Sequence, residues 1–168
     1  QSGTAQGANV RAARPDDLPA VAAIARQALV RTRFHLDPAI PAALAGDIKA
    51  AWAANFFAGK RGDAMLIAER DGVPAGFLLA LRAHAGWTVD LIAVAPDAQG
   101  LGLGRSLIAG LGGLAHGAEP PGALRAGTQA ANRDSLAFYA RQGFSLVEAS
   151  YVLHHHGRST PYPERSPS

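Results

Sequence analysis

Val94-Ala95-Pro96-Asp97-Ala98-Gln99-Gly100-Leu101-Gly102-Leu103-Gly104-Arg105-Ser106-Leu107 is the stretch that decides the reading of this chain. The apolar residues from Leu91 to Val94 lead into it. Alternate glycines at 100, 102 and 104 follow, and Leu107, Ile108, Leu111 and Leu114 then repeat with helical spacing. Glycine lacks a Cβ, so a ligand can lie against the backbone and several N–H groups can turn toward one point. The helix beginning there adds unpaired N–H donors and the positive end of its dipole. That combination is an anion site of the kind used for phosphate. A glycine-rich turn without a ligand is the plain alternative.

Spacing excludes two familiar nucleotide fingerprints. Gly-x-Gly-x-x-Gly fails at Arg105 when counted from Gly100 and at Leu107 when counted from Gly102. Gly-x-x-x-x-Gly-Lys-Ser/Thr fails because Gly104-Arg105-Ser106 lacks the lysine and Gln99 stands at the first glycine position. What remains is Gln99-x-x-Gly102-x-Gly104, directly after a strand and a proline.

Farther on, residues 124–128 read as a short strand, followed by Gln129-Ala130-Ala131-Asn132 and a helical stretch ending at Gly143-Phe144. Asn132 suits an N-cap and Gly143 a helix stop. The spacing lets Asn132, Leu136 and Tyr139 share one helix face.

Gln99-x-x-Gly102-x-Gly104 resembles the acyl-CoA pyrophosphate loop of the GNAT superfamily of N-acyltransferases. Asn132, Ser135, Tyr139, Gly143 and Phe144 match that superfamily's second pattern, Asn-x-x-Ala/Ser-x-x-x-Tyr-x-x-x-Gly-Phe, in the expected order. The resemblance runs from Val10 to about His156. It implies acetyl-CoA as acyl donor. Backbone groups around Ile92, Ala93 and Val94 would meet the pantetheine arm. Gln99, Gly100, Leu101, Gly102, Leu103, Gly104 and Arg105 would hold the pyrophosphate. Asn132 would contact the CoA arm, and Tyr139 would contact CoA and act as general acid toward its sulfur. Read without the resemblance, Tyr139 is a packed aromatic and Asn132 only a helix cap.

Three further phrases are similar to a branch containing TDP-fucosamine acetyltransferase and related amino-sugar acetyltransferases: residues 127–132, residues 150–154, and Arg33-Phe34-His35-Leu36-Asp37-Pro38. They place the acceptor near Phe34, His35, Thr128 and Gln129, with the second helix also contributing. Loops over splayed strands are where such a scaffold varies its acceptor.

The 168 residues suit a single core-forming domain over residues 10–156, between a flexible N-terminus at 1–9 and a Pro/Ser/Arg-rich disordered tail at 157–168. The net charge of +3 favours polyanionic CoA, and the basic residues form no block that would suit nucleic acid. With no cysteine, disulfides, thiolate metal sites and a cysteine acyl-enzyme are excluded. No apolar run reaches the roughly 18 residues of a membrane span. We therefore expect a cytoplasmic enzyme without nucleic-acid or membrane partners, with a homodimer left open. His154, His155 and His156 alternate faces if extended, so no metal is expected there.

Periodicity places a first strand at 10–13, a helix capped by Asp16 through about Arg31, a second helix at 42–57 on Leu44, Ile48, Trp52 and Phe56, and strands at 65–68, 73–81 and 87–94. Asp71-Gly72 is a hairpin turn, residues 119–122 another turn, and residues 144–156 close the domain with final strands. This order yields an α/β (α+β) fold, a mixed, twisted sheet with helices on both faces. The resemblance adds that the fourth and fifth strands splay apart.

Amide formation needs a neutral amine, yet an alkyl ammonium has a pKa of about 10. The base is not identified by the sequence. Alternation along the fourth strand puts Thr88, Asp90, Ile92 and Val94 on one face. Thr88 stands where the superfamily sometimes has Glu, which leaves Asp90 as the nearest carboxylate. His35, His84 or a water relay are the alternatives. Direct attack in a ternary complex on a small primary amine follows. A non-catalytic acyl-CoA-binding module and an acetyltransferase for protein N-termini or lysines remain alternatives.

Overall fold

The computed structural model describes residues 9–29, 42–83, 86–117, 122–130 and 132–150. Phe34 and His35 with the rest of 33–38, His84, residues 119–121 of the expected turn and the histidines at 154–156 lie outside them.

β1 (Asn9–Ala12) leads through a 3-10 turn (Pro15–Asp17) into α1 (Leu18–Ala28), and α2 (Ala42–Phe57) follows. β2 (Ala64–Arg70), β3 (Val73–Ala83) and β4 (Gly86–Val94) come next. Another 3-10 turn (Pro96–Ala98), α3 (Leu103–His116), β5 (Ala123–Ala126) and α4 (Arg133–Arg141) complete the order. The sheet runs β1-β2-β3-β4-β5. Its first three pairings are antiparallel and β4–β5 is parallel, as a helix crossover requires. Asp71 and Gly72 both take positive φ, 53° and 76°, which turns β2 tightly into β3.

Two apolar layers sandwich the sheet. On one face Leu66, Leu78, Trp87 and Val89 pack with Leu103, Leu107 and Leu111 of α3. On the other, Ile67, Phe77, Leu79, Leu91 and Ala93 pack with Val21 and Ile24 of α1 and Ala50 and Ala53 of α2. Each such large side chain taken fully from water stabilises the fold by roughly 1.5–3 kcal/mol. β2 and β3 feed both layers, so their centres are buried on every residue rather than alternately.

Several sequence expectations need correction. The first helix is led in by Asp17, not Asp16. The Asp17 carboxylate accepts from the Arg14 N–H at 2.7 Å and from both terminal nitrogens of Arg11 at 2.7 and 2.8 Å. Asp17 is buried against Arg11, whereas Asp16 is exposed. α2 faces the core through small residues, Gly46, Ala50 and Ala53, while Ile48, Trp52 and Phe56 lie at its flank. Small residues allow the helix to sit close to its neighbours. Finally, residues 144–150 form no strand, and Leu146 and Val147 are 81% and 86% exposed. A strand needs a partner edge, and no described strand runs beside this segment. No described helix is long and apolar enough to cross a membrane.

Candidate active site

β5 pairs only with the start of β4, from Gly86 opposite Ala123 to Val89 opposite Ala126. From Asp90 onward β4 keeps β3 on one edge and no described strand on the other. The strands diverge there, and a cleft of about 180 Å³ opens between them. Asp90, Leu91 and Ile92 line its β4 wall, and Gly127, Thr128 and Gln129 line the wall beyond β5. Asn132, Ser135 and Tyr139 of α4 close one side, and Leu29 and Lys49 the other. The structure thus gathers Asp90, Ile92, Thr128, Gln129, Asn132 and Tyr139 around one space. Ala93, Val94 and residues 99–105 do not line it; they carry the β4 edge onward into the glycine loop.

A bulge changes the expected faces of β4. Leu79 opposes Leu91 but Ala80 opposes Val89, so Asp90 is an extra residue without a partner. The alternation reverses across it. Trp87 and Val89 face the α3 layer, Leu91 and Ala93 face the α1/α2 layer, and Ile92 and Val94 return to the α3 side. Thr88, Asp90, Ile92 and Val94 therefore do not share one face. Asp90 instead reaches the loop between α2 and β2, where Arg61 Nε and Nη2 each donate to one of its oxygens at 2.6 Å.

Arg61 was not singled out by the sequence. Its guanidinium lies 4.7 Å from the centre of the Trp52 ring, and Lys49 Nζ lies 3.9 Å from the same ring. Asp90 holds Arg61 firmly in its charged form, against the opposing effect of burial. Arg61 and Asp90 are 29 positions apart, so no local spacing could have linked them.

The glycine loop leads from β4 through a 3-10 turn into α3. Gly100 and Gly102 take φ of 78° and 83°, a conformation that L side chains rarely adopt. A Cβ on either would meet nothing within 4 Å, so the constraint there is backbone conformation and not crowding. Gly104 differs: a Cβ there would sit 3.1 Å from the Phe138 ring of α4. The first intrahelical bond of α3 runs from the Ser106 N–H to the Gly102 carbonyl, which leaves the preceding N–H groups without an intrahelical partner. Gln99 donates its side-chain amide to the Val94 carbonyl at 3.3 Å, fastening the loop to the end of β4. Arg105 opens α3 with an exposed side chain.

Asn132 caps α4: its Oδ1 accepts from the Ser135 N–H at 3.1 Å, which leaves its Nδ2 donors for the cleft. The face it shares with Tyr139 includes Ser135, whereas Leu136 is 40% exposed and outside the cleft. Tyr139 is wedged between Phe138 and Phe144, each edge-on with centroids 5.3 Å away. Gly143, at φ 87°, turns the chain back so that the Phe144 N–H bonds the Tyr139 carbonyl at 3.1 Å. Burial pushes the Tyr139 phenol up to about 12, so it is neutral throughout the physiological range. Among the described residues no cluster of histidine and acidic side chains could hold a metal ion.

A glycine turn at the head of α3, a splayed strand edge and a neutral phenol lining the gap match what comparison with known proteins finds. Residues 29–144 match the family described as Acetyltransferase (GNAT) family. The spore coat polysaccharide biosynthesis protein SpsD of Bacillus subtilis is 29% identical over 145 residues, which cover 83% of this chain and 48% of that protein. The chain thus spans about half the length of that relative. The ribosomal-protein-S18-alanine N-acetyltransferase from Escherichia coli has a similar structure, with TM-score 0.58, 24% identity and coverage of 83% of this chain and 79% of that one. The PaiA N-acetyltransferase from Thermoplasma acidophilum, solved with coenzyme A, gives TM-score 0.65 at 13% identity, covering 86% and 94%. Sheet order, glycine loop and family match agree: this chain belongs to the GNAT family of acetyltransferases.

Proposed function

We propose that the protein transfers an acetyl group from acetyl-CoA to a primary amine of a small molecule, by direct attack within a ternary complex. The carrying observation is the open edge of β4, which borders the Tyr139 cleft at Asp90–Ile92 and leads on in the chain to the Gly100/Gly102 loop. The open sites above both glycines give a pyrophosphate room to approach the backbone. Backbone groups of Ile92 and the Val94 N–H, on the edge of β4 away from β3, take the pantetheine amides and polarise the thioester carbonyl, while the Val94 carbonyl is held by Gln99. Asn132 Nδ2 supports the CoA arm. Direct transfer is favoured because the chain has no cysteine to carry the acyl group.

Tyr139 supplies the proton to the departing sulfur. A thiol ordinarily titrates at about 8.5, so transfer from a phenol at about 12 runs uphill by roughly three decades while the sulfur remains in water. The transfer works once the sulfur is desolvated against the same aromatic wall, which raises its own affinity for the proton. Until then the hydroxyl serves as hydrogen-bond donor. Asp90 has both oxygens engaged by Arg61, so its proposed role is to accept a hydrogen bond from the incoming amine, and a water relay carries the proton away. Thr128, Gln129 and Lys49 border the acceptor end, with Phe34 and His35 assigned there from the sequence alone. The similarity to SpsD, a polysaccharide biosynthesis protein, supports a nucleotide-linked amino sugar as acceptor.

Isothermal titration with acetyl-CoA tests the donor. Saturable binding is expected, and none at millimolar ligand would refute the reading. A thiol-release assay over amines that include nucleotide-linked amino sugars tests transfer. Binding without release from any amine would leave an acyl-CoA-binding module in its place.

A further inference from the structure

The carboxylates that pair with Arg11, Arg26 and Arg70 line no part of the cleft. Asp90, the partner of Arg61, lines its β4 wall. The Asp90 side chain is only 12% exposed, and a carboxylate taken that far from water needs a charged or hydrogen-bonding partner. Arg61 meets the need with its fork. Nε and Nη2 donate to separate oxygens, which fixes the plane of the carboxylate as well as its charge. A carboxylate offers about four acceptor positions, so the clamp leaves some of them unused. Those remaining point away from the guanidinium.

The bulge makes this support necessary. Asp90 has no residue opposite it on β3, so the strand ladder by itself does not aim its side chain. The loop that carries Arg61, residues 58–63, is fastened at both ends. The Lys60 N–H bonds the Asn55 carbonyl and the Asp63 N–H bonds the Ala80 carbonyl, each at 2.9 Å. The Asp63 carboxylate accepts from the Arg82 N–H at 2.7 Å. Between these anchors Gly62 takes φ 89°, and a Cβ there would overlap the side chain of Leu79 in the core. The Trp52 ring of α2, 4.7 Å from the guanidinium, adds a face that attracts a cation. Arg61 itself does not line the cleft, so it meets the cleft through Asp90.

We infer that Arg61 is a positioning residue for acetyl transfer, acting through Asp90 by aiming its carboxylate at the incoming amine. This rests on the acetyl-transfer reading above. The amine gains positive charge as its bond to the thioester carbon forms, and a carboxylate already fixed in place stabilises that charge without reorganising. Thiol release with the fastest amine of the panel above tests the inference. The proteins compared are the parent, Arg61→Gln, Arg61→Lys, Asp90→Asn and the two double variants, each verified by thermal unfolding and acetyl-CoA calorimetry. Arg61→Gln should lower kcat/KM for the amine by about 10–100-fold, the scale of a misplaced group, with acetyl-CoA affinity within about twofold of the parent's. Arg61→Lys keeps the charge without the fork and should recover part of the loss. In the Asp90→Asn background either change at Arg61 should alter kcat/KM by less than about twofold, because the group it aims is gone. If Arg61→Gln does not fold, Arg61→Lys in the two backgrounds decides. Parent-like turnover in folded Arg61→Gln, or equal losses in both backgrounds, would overturn the inference and leave the pair as a prop of the bulge, with the acetyl-transfer reading intact. Acetyl-CoA affinity that falls in step with stability would do the same. A parent that binds acetyl-CoA and releases no thiol with any amine would overturn both.

Discussion

Over residues 86–89, β4 is held on both edges, by β3 and by β5, whereas over residues 90–94 it keeps β3 alone. Both halves are apolar and both are buried on alternate residues. They differ in what their free backbone groups can meet. At the closed end Gly86, at φ 135°, lets Ala123 come so close that a Cβ would overlap the Ala123 backbone. At the open end the bulge at Asp90 breaks the register and the partner strand departs. Exposed strand edges are normally a hazard that proteins cover. Here the edge faces a cleft walled by α4, and the edge that pairs with β5 in the closed half has no described strand partner in the open half.

The sharpest way to break this contrast is at the end of the open edge. Gly102→Asp or Gly104→Glu should abolish acetyl-CoA binding by calorimetry. The first puts a carboxylate beside the pyrophosphate in a backbone conformation it disfavours, and the second drives a side chain at Phe138. Parent-like affinity in either folded variant would remove the loop from the site. Next in size is Tyr139→Phe, which should lower turnover by about 10²–10⁴-fold with acetyl-CoA affinity unchanged. An unchanged rate, with chemistry shown to be limiting, would reduce Tyr139 to a packed aromatic.

The closed half has its own test. Gly86→Ala should destabilise the fold by about 2–4 kcal/mol in urea unfolding, because both a positive φ and a backbone overlap must be relieved. If the variant is as stable as the parent, contact with Gly86 is not what shuts that end.

A region remote from both halves supplies the control. Arg11 holds the buried Asp17 carboxyl below its ordinary value of 3.8, so this contribution is present above that pH and is lost as pH falls. Asp17→Asn should cost about 2 kcal/mol at pH 7, with the gap to the parent closing under acid and turnover unaffected. Turnover that falls with stability intact would show Asp17 acting on the cleft. The smallest effect is alkaline. Tyr139 titrates near 12 in the fold, above its ordinary 10, so its contribution is intact below pH 10 and fades between 10 and 12. Tyr139→Phe should lack that fading, and identical alkaline unfolding profiles would contradict the burial of the hydroxyl.

Much of the site was legible because its signals are local. The glycines at 100, 102 and 104 must lie together, since each acts on the backbone of a single turn. Asn132, Ser135, Tyr139 and Gly143 are fixed relative to one another by helical geometry, and the structure places the helix, its cap and its stop there. The alternation of β4 misled at Asp90 because a bulge is a property of two paired strands, and β4 alone does not reveal it. Leu136 was placed on the wrong side of α4 because helical spacing permits several faces and packing selects one.

By itself the sequence determined most of the elements and the glycine turn between β4 and α3, through rules that act within a few residues: period, capping, turn chemistry and the freedom of glycine. Only the tertiary structure decided where β4 and β5 part, that Asp90 is committed to Arg61, and that Arg105 and Arg141 share a groove. These depend on groups far apart along the chain or on different elements. Their distances are set by packing, and so are the solvent and charge each side chain meets.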